Sequence, residues 1–170
     1  MTEQDVDAVI TVERTLYPFP WTANHFIDSM RSGYDAWIVE DGSRPADAAP
    51  ESGPPLPLAY CVMMWVVDET HLLNISVANE QQHQGLARWL LGRLFEDSRR
   101  GGARSMLLEV RPSNPRARRL YERAGFDVIG IRRGYYPWFD GQREDAIVMR
   151  CLLESSAGHG RQPFDGKRAG

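Results

Sequence analysis

A glycine-containing turn, a strand-borne carboxylate and a helix-borne tyrosine have the types and spacing that could do chemistry in this chain. The turn is Gln82-His83-Gln84-Gly85-Leu86-Ala87-Arg88. Before it, His71 to Val77 has the apolar and β-branched content of a strand; after it, Leu86, Leu90, Leu91, Leu94 and Phe95 recur at helical spacing. A helix N-terminus carries unpaired N–H donors and about half a positive charge, so phosphate oxygens are favoured there. Gly85 lets the backbone come close to a ligand, and Ala87 adds almost no bulk. An ordinary strand-to-helix connection would also account for this glycine.

Glu109 sits near the end of the apolar run Ser105 to Val110, where an unpaired carboxylate is costly. Such a group suits a general base, although a salt bridge to one of the many arginines fits the same position. Asn114 and Tyr121 are seven residues apart, two helical turns, and so share a face with Ala117, Leu120 and Ala124. Asn114 is also a helix cap and Tyr121 also a core residue on this pattern.

The elements that must position these groups follow from pattern. Thr2 to about Tyr17 reads as a helix stopped by Pro18-Phe19-Pro20, and 22–31 as a second, with Phe26, Ile27 and Met30 inward. Ala36 to Val39 reads as a strand. The Pro-, Ala-, Ser- and Gly-rich stretch 41–57 reads as a flexible loop insertion. Leu58 to Val67 and the run ending at Val77 form an antiparallel pair through a turn at Asp68-Glu69-Thr70. A helix over 86–100, a strand at 105–110 and a helix from Asn114-Pro115 to Gly125 come next. Strands at about 126–132 and 144–153 are joined through the turn Asp140-Gly141. From Glu154 the composition is that of a disordered tail. The order gives one α/β domain over 1–153, a mixed sheet flanked by helices. Because the early strands form a meander, a doubly wound dinucleotide fold is excluded.

With 170 residues and 42% hydrophobic content, the chain has the length for one core. No apolar run approaches the roughly 20 residues of a membrane span, and the N-terminus has no secretory signal, so the expected compartment is the cytoplasm. Cys61 and Cys151 each lie in an apolar segment and read as buried free thiols, with no cluster suited to a metal. The net charge of −3 conceals a local balance of +7 between Arg88 and Arg133, where twelve arginines face five acids. A basic centre suits a polyphosphate and an acidic periphery suits a basic substrate. No nucleic-acid motif accompanies the arginines.

Several motifs occur in one order: Phe19-Pro20-Trp21, Asn74-Ile75-Ser76-Val77, the 82–88 turn, Leu108-Glu109-Val110-Arg111-Pro112-Ser113-Asn114, Leu120-Tyr121-Glu122-Arg123-Ala124-Gly125-Phe126, Ile131-Arg132-Arg133-Gly134-Tyr135-Tyr136-Pro137 and Asp145-Ala146-Ile147-Val148-Met149. Over roughly residues 3–153 the set resembles the bacterial ribosomal-protein alanine N-acetyltransferases of the GNAT superfamily. The resemblance implies a mostly antiparallel central sheet with a splayed parallel strand pair, and acetyl-CoA as acetyl donor with no metal. It implies that the main chain of Ile75, Ser76 and Val77 holds the pantetheine arm. Gln82, His83, Gln84, Gly85, Leu86, Ala87 and Arg88 would form the pyrophosphate turn, and Asn114 and Tyr121 would contact the cofactor. Glu109 would be the general base, Tyr121 the acid for the departing thiolate, and Tyr135 and Tyr136 would line the peptide groove.

The implied reaction is acetylation of the α-amine of an N-terminal alanine on a small-subunit ribosomal protein. A small amine or a lysine ε-amine is the alternative acceptor, and a CoA-binding module without turnover is the reading of a different class. The loop at 41–57 and the tail at 154–170 are departures from the family pattern.

Overall fold

The computed structural model describes residues 1–42 and 55–153. Most of the expected loop insertion, residues 43–54, and the expected tail, 154–170, lie outside the described residues. The chain enters through a 3-10 turn at Glu3–Asp5, where the Thr2 backbone N–H donates to the Asp5 carboxylate at 2.6 Å. Helix α1 (Val6–Leu16) follows, and Tyr17 turns extended ahead of Pro18, which disfavours a helical predecessor. Helix α2 spans Ala23–Arg31, and strands β1 (Asp35–Val39), β2 (Ala59–Val66) and β3 (Glu69–Val77) form the meander. Then come α3 (Leu86–Arg100), β4 (Ser105–Val110), α4 (Pro115–Arg123), β5 (Asp127–Pro137) and β6 (Arg143–Leu152).

The six strands form one sheet in the order β1-β2-β3-β4-β6-β5, antiparallel except for β3 beside β4. Helices cover both faces. Val6, Val9, Ile10 and Phe26 of α1 and α2 pack on Tyr60 and Val62, while Leu90, Leu91, Leu94 and Tyr121 of α3 and α4 pack on Cys61, Met63, Met106 and Leu108. Cys61 and Cys151 are buried free thiols. No helix among the described residues is long and apolar enough to cross a membrane.

Two irregularities shape the region around the sequence motifs. Met63 pairs with Leu72 but Val62 pairs with Asn74, so Leu73 is an extra residue on β3. A bulge of this kind bends the strand and shifts its side-chain alternation. The pairing of β3 with β4 ends at that place, the last match being Leu72 with Leu108. Beyond it the two parallel strands separate. Ile75, Ser76 and Val77 stay paired with β2 on one side and have no strand partner on the other, and Glu109 is the first β4 residue past the fork. The second irregularity is on β5, where the register with β6 slips between Arg132 and Tyr136. Gly134 N–H donates to Asp145 at 2.8 Å there, and the Arg143 guanidinium donates to the Gly134 and Tyr135 carbonyls.

Four expected boundaries need correction. The β2–β3 turn is Val67-Asp68, with Val67 at φ 54°, so Glu69 and Thr70 already belong to β3. Tertiary partners hold them there: the Thr70 hydroxyl meets Ser98 Oγ at 3.0 Å, and Ser105 Oγ donates to Glu69 at 2.6 Å. Strand β5 runs on to Pro137 instead of ending near Arg132, because the bulge lets pairing resume with Arg143 and Glu144. Strand β6 begins at Arg143 and ends at Leu152, each one residue early. The Asp140-Gly141 turn has both residues in the left-handed region, φ 56° and 72°.

Candidate active site

A cavity of about 640 Å³ opens at the fork between β3 and β4. Ile75, Ser76 and Val77 line it from the freed edge of β3; Gln82, His83, Gly85, Leu86, Ala87 and Arg88 from the turn; Asn114 and Tyr121 from α4. These residues, singled out from sequence, thus converge on one space. Gln84 does not line the cavity, since its amide turns back to the Glu80 carbonyl at 3.0 Å.

The turn has the geometry of an anion site. His83 (φ 66°) and Gly85 (φ 84°) are both left-handed, and Gly85 caps α3 with no side-chain acceptor on the first helical N–H groups. Those donors therefore remain for a ligand. Gln82 is locked from three directions: its amide donates to Val77 O at 3.1 Å and Asn79 at 3.3 Å, and its oxygen accepts from Arg116 at 2.5 Å. Arg88, Arg116, Arg119 and Arg123 line the cavity, and no acid does among the described residues. The last three were not singled out from sequence, although their spacing of three and four residues puts them together on one face of α4. Asn114 caps α4, its Oδ1 accepting from Ala117 N at 3.0 Å.

Tyr121 is 7% exposed and packs on Phe126 with ring centroids 5.8 Å apart. Burial, and then the neighbouring phenols Tyr17 and Tyr136, push its pKa above the usual value of 10.0. The group is protonated and neutral at physiological pH, a proton donor and not a base.

Glu109, Tyr135 and Tyr136 form a second cluster beside the cavity and do not line it. The salt bridge to an arginine that the position allowed is present: Arg132 lies 2.9 Å from Glu109, and Tyr135 is hydrogen-bonded to it. Glu109 is the first β4 residue past the fork, and the Arg132 guanidinium reaches it from β5, on the far side of β6. Burial is the main cause that raises the Tyr136 phenol, and the Glu109 charge adds to it. Tyr136 lies close enough to Tyr121 to count among the groups that raise its pKa, and so stands between the two clusters.

Arg111 fixes that bridge. Its guanidinium lies 4.1 Å from the centroid of the Tyr136 ring and 5.7 Å from that of Phe19. It also donates to Pro137 O at 3.1 Å and to Glu144 at 3.2 Å. Glu144 accepts in addition from Ser113 N at 2.7 Å and Ser113 Oγ at 3.0 Å. One ion pair therefore ties the Phe19-Pro20-Trp21 segment, the loop before α4 and the β5 tyrosines together. Among the described residues no group of His, Cys, Asp and Glu is placed to hold a metal ion.

Comparison with known proteins gives consistent matches. A family model described as "Acetyltransferase (GNAT) family" covers residues 7–126. The [ribosomal protein bS18]-alanine N-acetyltransferase of Escherichia coli (strain K12) is 36% identical over 145 residues, spanning 85% of this chain and 89% of the relative. A putative enzyme of the same name from Bacillus subtilis (strain 168) is 30% identical over 152 residues, 88% and 90% of the two chains. The crystal structure of the ribosomal-protein-S18-alanine N-acetyltransferase from Escherichia coli superposes with a TM-score of 0.76 at 34% identity, over 95% and 96% of the two chains. Arabidopsis thaliana NAA60 in complex with acetyl-CoA shares the fold, with a TM-score of 0.70 at 19% identity over 88% and 94%.

Proposed function

This chain belongs to the GNAT acetyltransferase family, and from that premise we propose that it transfers acetyl from acetyl-CoA to the α-amine of the N-terminal alanine of ribosomal protein bS18. The observation that carries the proposal is the arginine-lined cavity at the strand fork, with Tyr121 in its wall and Glu109 just outside it. Similarity over nearly the full length of the bS18-modifying relatives supports the choice of acceptor. The acidic balance outside the 88–133 segment suits a basic ribosomal N-terminus. A ribosomal substrate supports the cytoplasm as the working compartment.

In this reading the N–H groups from His83 to Arg88 hold the pyrophosphate, with the four cavity arginines around it. Main-chain groups of Ile75, Ser76 and Val77 bind the pantetheine arm, and N–H groups at the fork stabilise the oxyanion of the tetrahedral adduct. Asn114 contacts the donor from the start of α4. The α-amine, of ordinary pKa about 7.7–8.0, attacks the thioester carbonyl directly. Glu109 is the base that takes up the amine's proton, with Arg132 and Tyr135 fixing its carboxylate. Tyr121 protonates the departing thiolate. Tyr135 and Tyr136, held by the β5 bulge and by Arg111, line the peptide groove.

The test is transfer from acetyl-CoA to a peptide carrying the bS18 N-terminus, with the modified nitrogen mapped by fragment mass. Acetyl on the alanine α-amine is expected. Equal labelling of lysine side chains, or of free small amines, would replace the proposed acceptor by that class.

A further inference from the structure

Glu13 has no part in the site described above, yet among the described residues it is the only buried carboxyl, at 1% exposure. Three donors converge on it: the Trp21 N–H at 3.0 Å, the Asn74 amide at 3.5 Å and the Tyr60 hydroxyl. Donors on both oxygens are the company of an ionised carboxylate. Burial pushes its pKa above the ordinary 4.5, against the pull of these bonds and of the His25 charge from α2.

From Glu13 a row of hydroxyls leads to the cavity. Tyr60 on β2 donates to Glu13 and is also hydrogen-bonded to Ser76 on β3. Ser76 Oγ lies 2.9 Å from the Tyr17 hydroxyl, from which it accepts, and donates its own proton to Asn74 Oδ1, also at 2.9 Å. Tyr17 and Ser76 both line the cavity. A hydroxyl donates and accepts at once, so each can pass a proton on while receiving another. Burial raises the pKa of both phenols, which keeps each link protonated and neutral at working pH.

We infer that Glu13 is the terminal proton acceptor of the row Tyr17–Ser76–Tyr60, which removes the first proton from the incoming ammonium. The inference rests on the acetyl-transfer reading above. An ammonium loses two protons in becoming an amide N–H. In the first step an ammonium N–H bond breaks as an O–H bond forms at Tyr17. Tyr17 gives its own proton to Ser76, the Ser76 hydroxyl turns its former proton from Asn74 to Tyr60, and Tyr60 gives one to Glu13, which leaves Glu13 and the amine both neutral. The second proton leaves the tetrahedral adduct for Glu109. Tyr121 protonates the thiolate and is restored by the proton on Glu109. After product release the row runs backward, and Glu13 returns its proton to water in the cavity. One proton thus ends on the thiol and one in solvent. Glu13 acts through Tyr17 and touches no substrate, so it is a positioning and proton-holding residue. Its contribution is present above its raised pKa and disappears as pH falls through that value.

The experiment compares full-length wild type, Tyr17→Phe and Glu13→Gln on acetyl-CoA and the Ala-starting peptide from about pH 6 to 9.5. An α-amine of pKa about 8 is about one-tenth neutral at pH 7. A cut row leaves only that fraction usable. Tyr17→Phe is expected to lose up to about tenfold in kcat/KM at pH 7 and almost nothing above about pH 9. Glu13→Gln is expected to follow the same pH pattern, and calorimetry should still detect CoA binding by both variants. Structural injury would instead lower activity at every pH. Wild-type activity of Tyr17→Phe at pH 7, or a loss that persists at the alkaline end, would overturn the inference. Absence of any transfer by the wild type would strike the reading beneath it.

Discussion

Replacing Gly85 by alanine isolates what the conformation of the phosphate turn contributes. Gly85 sits at φ +84°, and a Cβ built there meets nothing within 4 Å. Sterics with neighbours are therefore absent, and the whole cost is that of placing an L-residue in the left-handed region, about 1–2 kcal/mol. If the turn holds its shape, that cost lowers Tm by about 2–8 °C for a chain of this size. If the turn relaxes toward negative φ, the N–H groups of Leu86, Ala87 and Arg88 lose their aim. The KM for acetyl-CoA then rises by up to about 5- to 30-fold, the equivalent of the same energy. Because Glu109 and Tyr121 stand on other elements, kcat should stay within about twofold. Gly85→Asn should be milder, since asparagine tolerates this region better. The assay is a thermal melt beside steady-state kinetics with acetyl-CoA varied. Unchanged Tm together with unchanged KM would refute the reasoning, and so would a fall in kcat at constant KM.

Other expectations follow from the same geometry. Glu109→Gln and Tyr121→Phe should each lower kcat by about 10²–10³-fold while calorimetry still detects CoA binding; loss of binding would show that they hold the donor instead. Tyr121 works as an acid in its protonated form, and burial raises its pKa above 10.0. Its proton is lost only above that range, so kcat of the wild type should not fall between about pH 8 and 10; a decline there would count against Tyr121 as the donor. Raising ionic strength from about 0.05 to 0.5 M should increase the KM for acetyl-CoA, because four arginines line the cavity. A salt-independent KM would remove them from phosphate binding. Arg111→Ala leaves Glu144, only 13% exposed, without its cation and frees the Tyr136 ring. A loss of about 2–3 kcal/mol in stability and a raised peptide KM are expected, and a melt with unchanged peptide kinetics would contradict the clamp.

What was legible from sequence was mostly local. Helix α3 falls where expected because its limits are marked by Gly85 and Gly101, and α4 because Asn114-Pro115 and Gly125 bracket it. The turn residues other than Gln84, the β3 segment, Asn114 and Tyr121 line one cavity, and each lies beside a strong local signal. The β2–β3 turn was misplaced because Glu69 and Thr70 resemble turn residues until Ser105 and Ser98 are brought to them by folding. The pairing of Glu109 with Arg132 was one of two readings that spacing could not separate, since β4 meets β5 only through β6. Nothing local in the sequence marks Glu13. Its partners Tyr60 and Asn74 are 47 and 61 residues away, and Tyr17 reaches Ser76 across 59. Hydrogen bonds over such separations leave no periodic trace.

The most direct test is the intact mass of bS18 isolated from cells that carry this gene and from cells in which it is deleted. The account predicts that one acetyl group, located on the N-terminal alanine, is present in the first and missing from the second. An N-terminus equally acetylated in both, or unmodified in both, would contradict it.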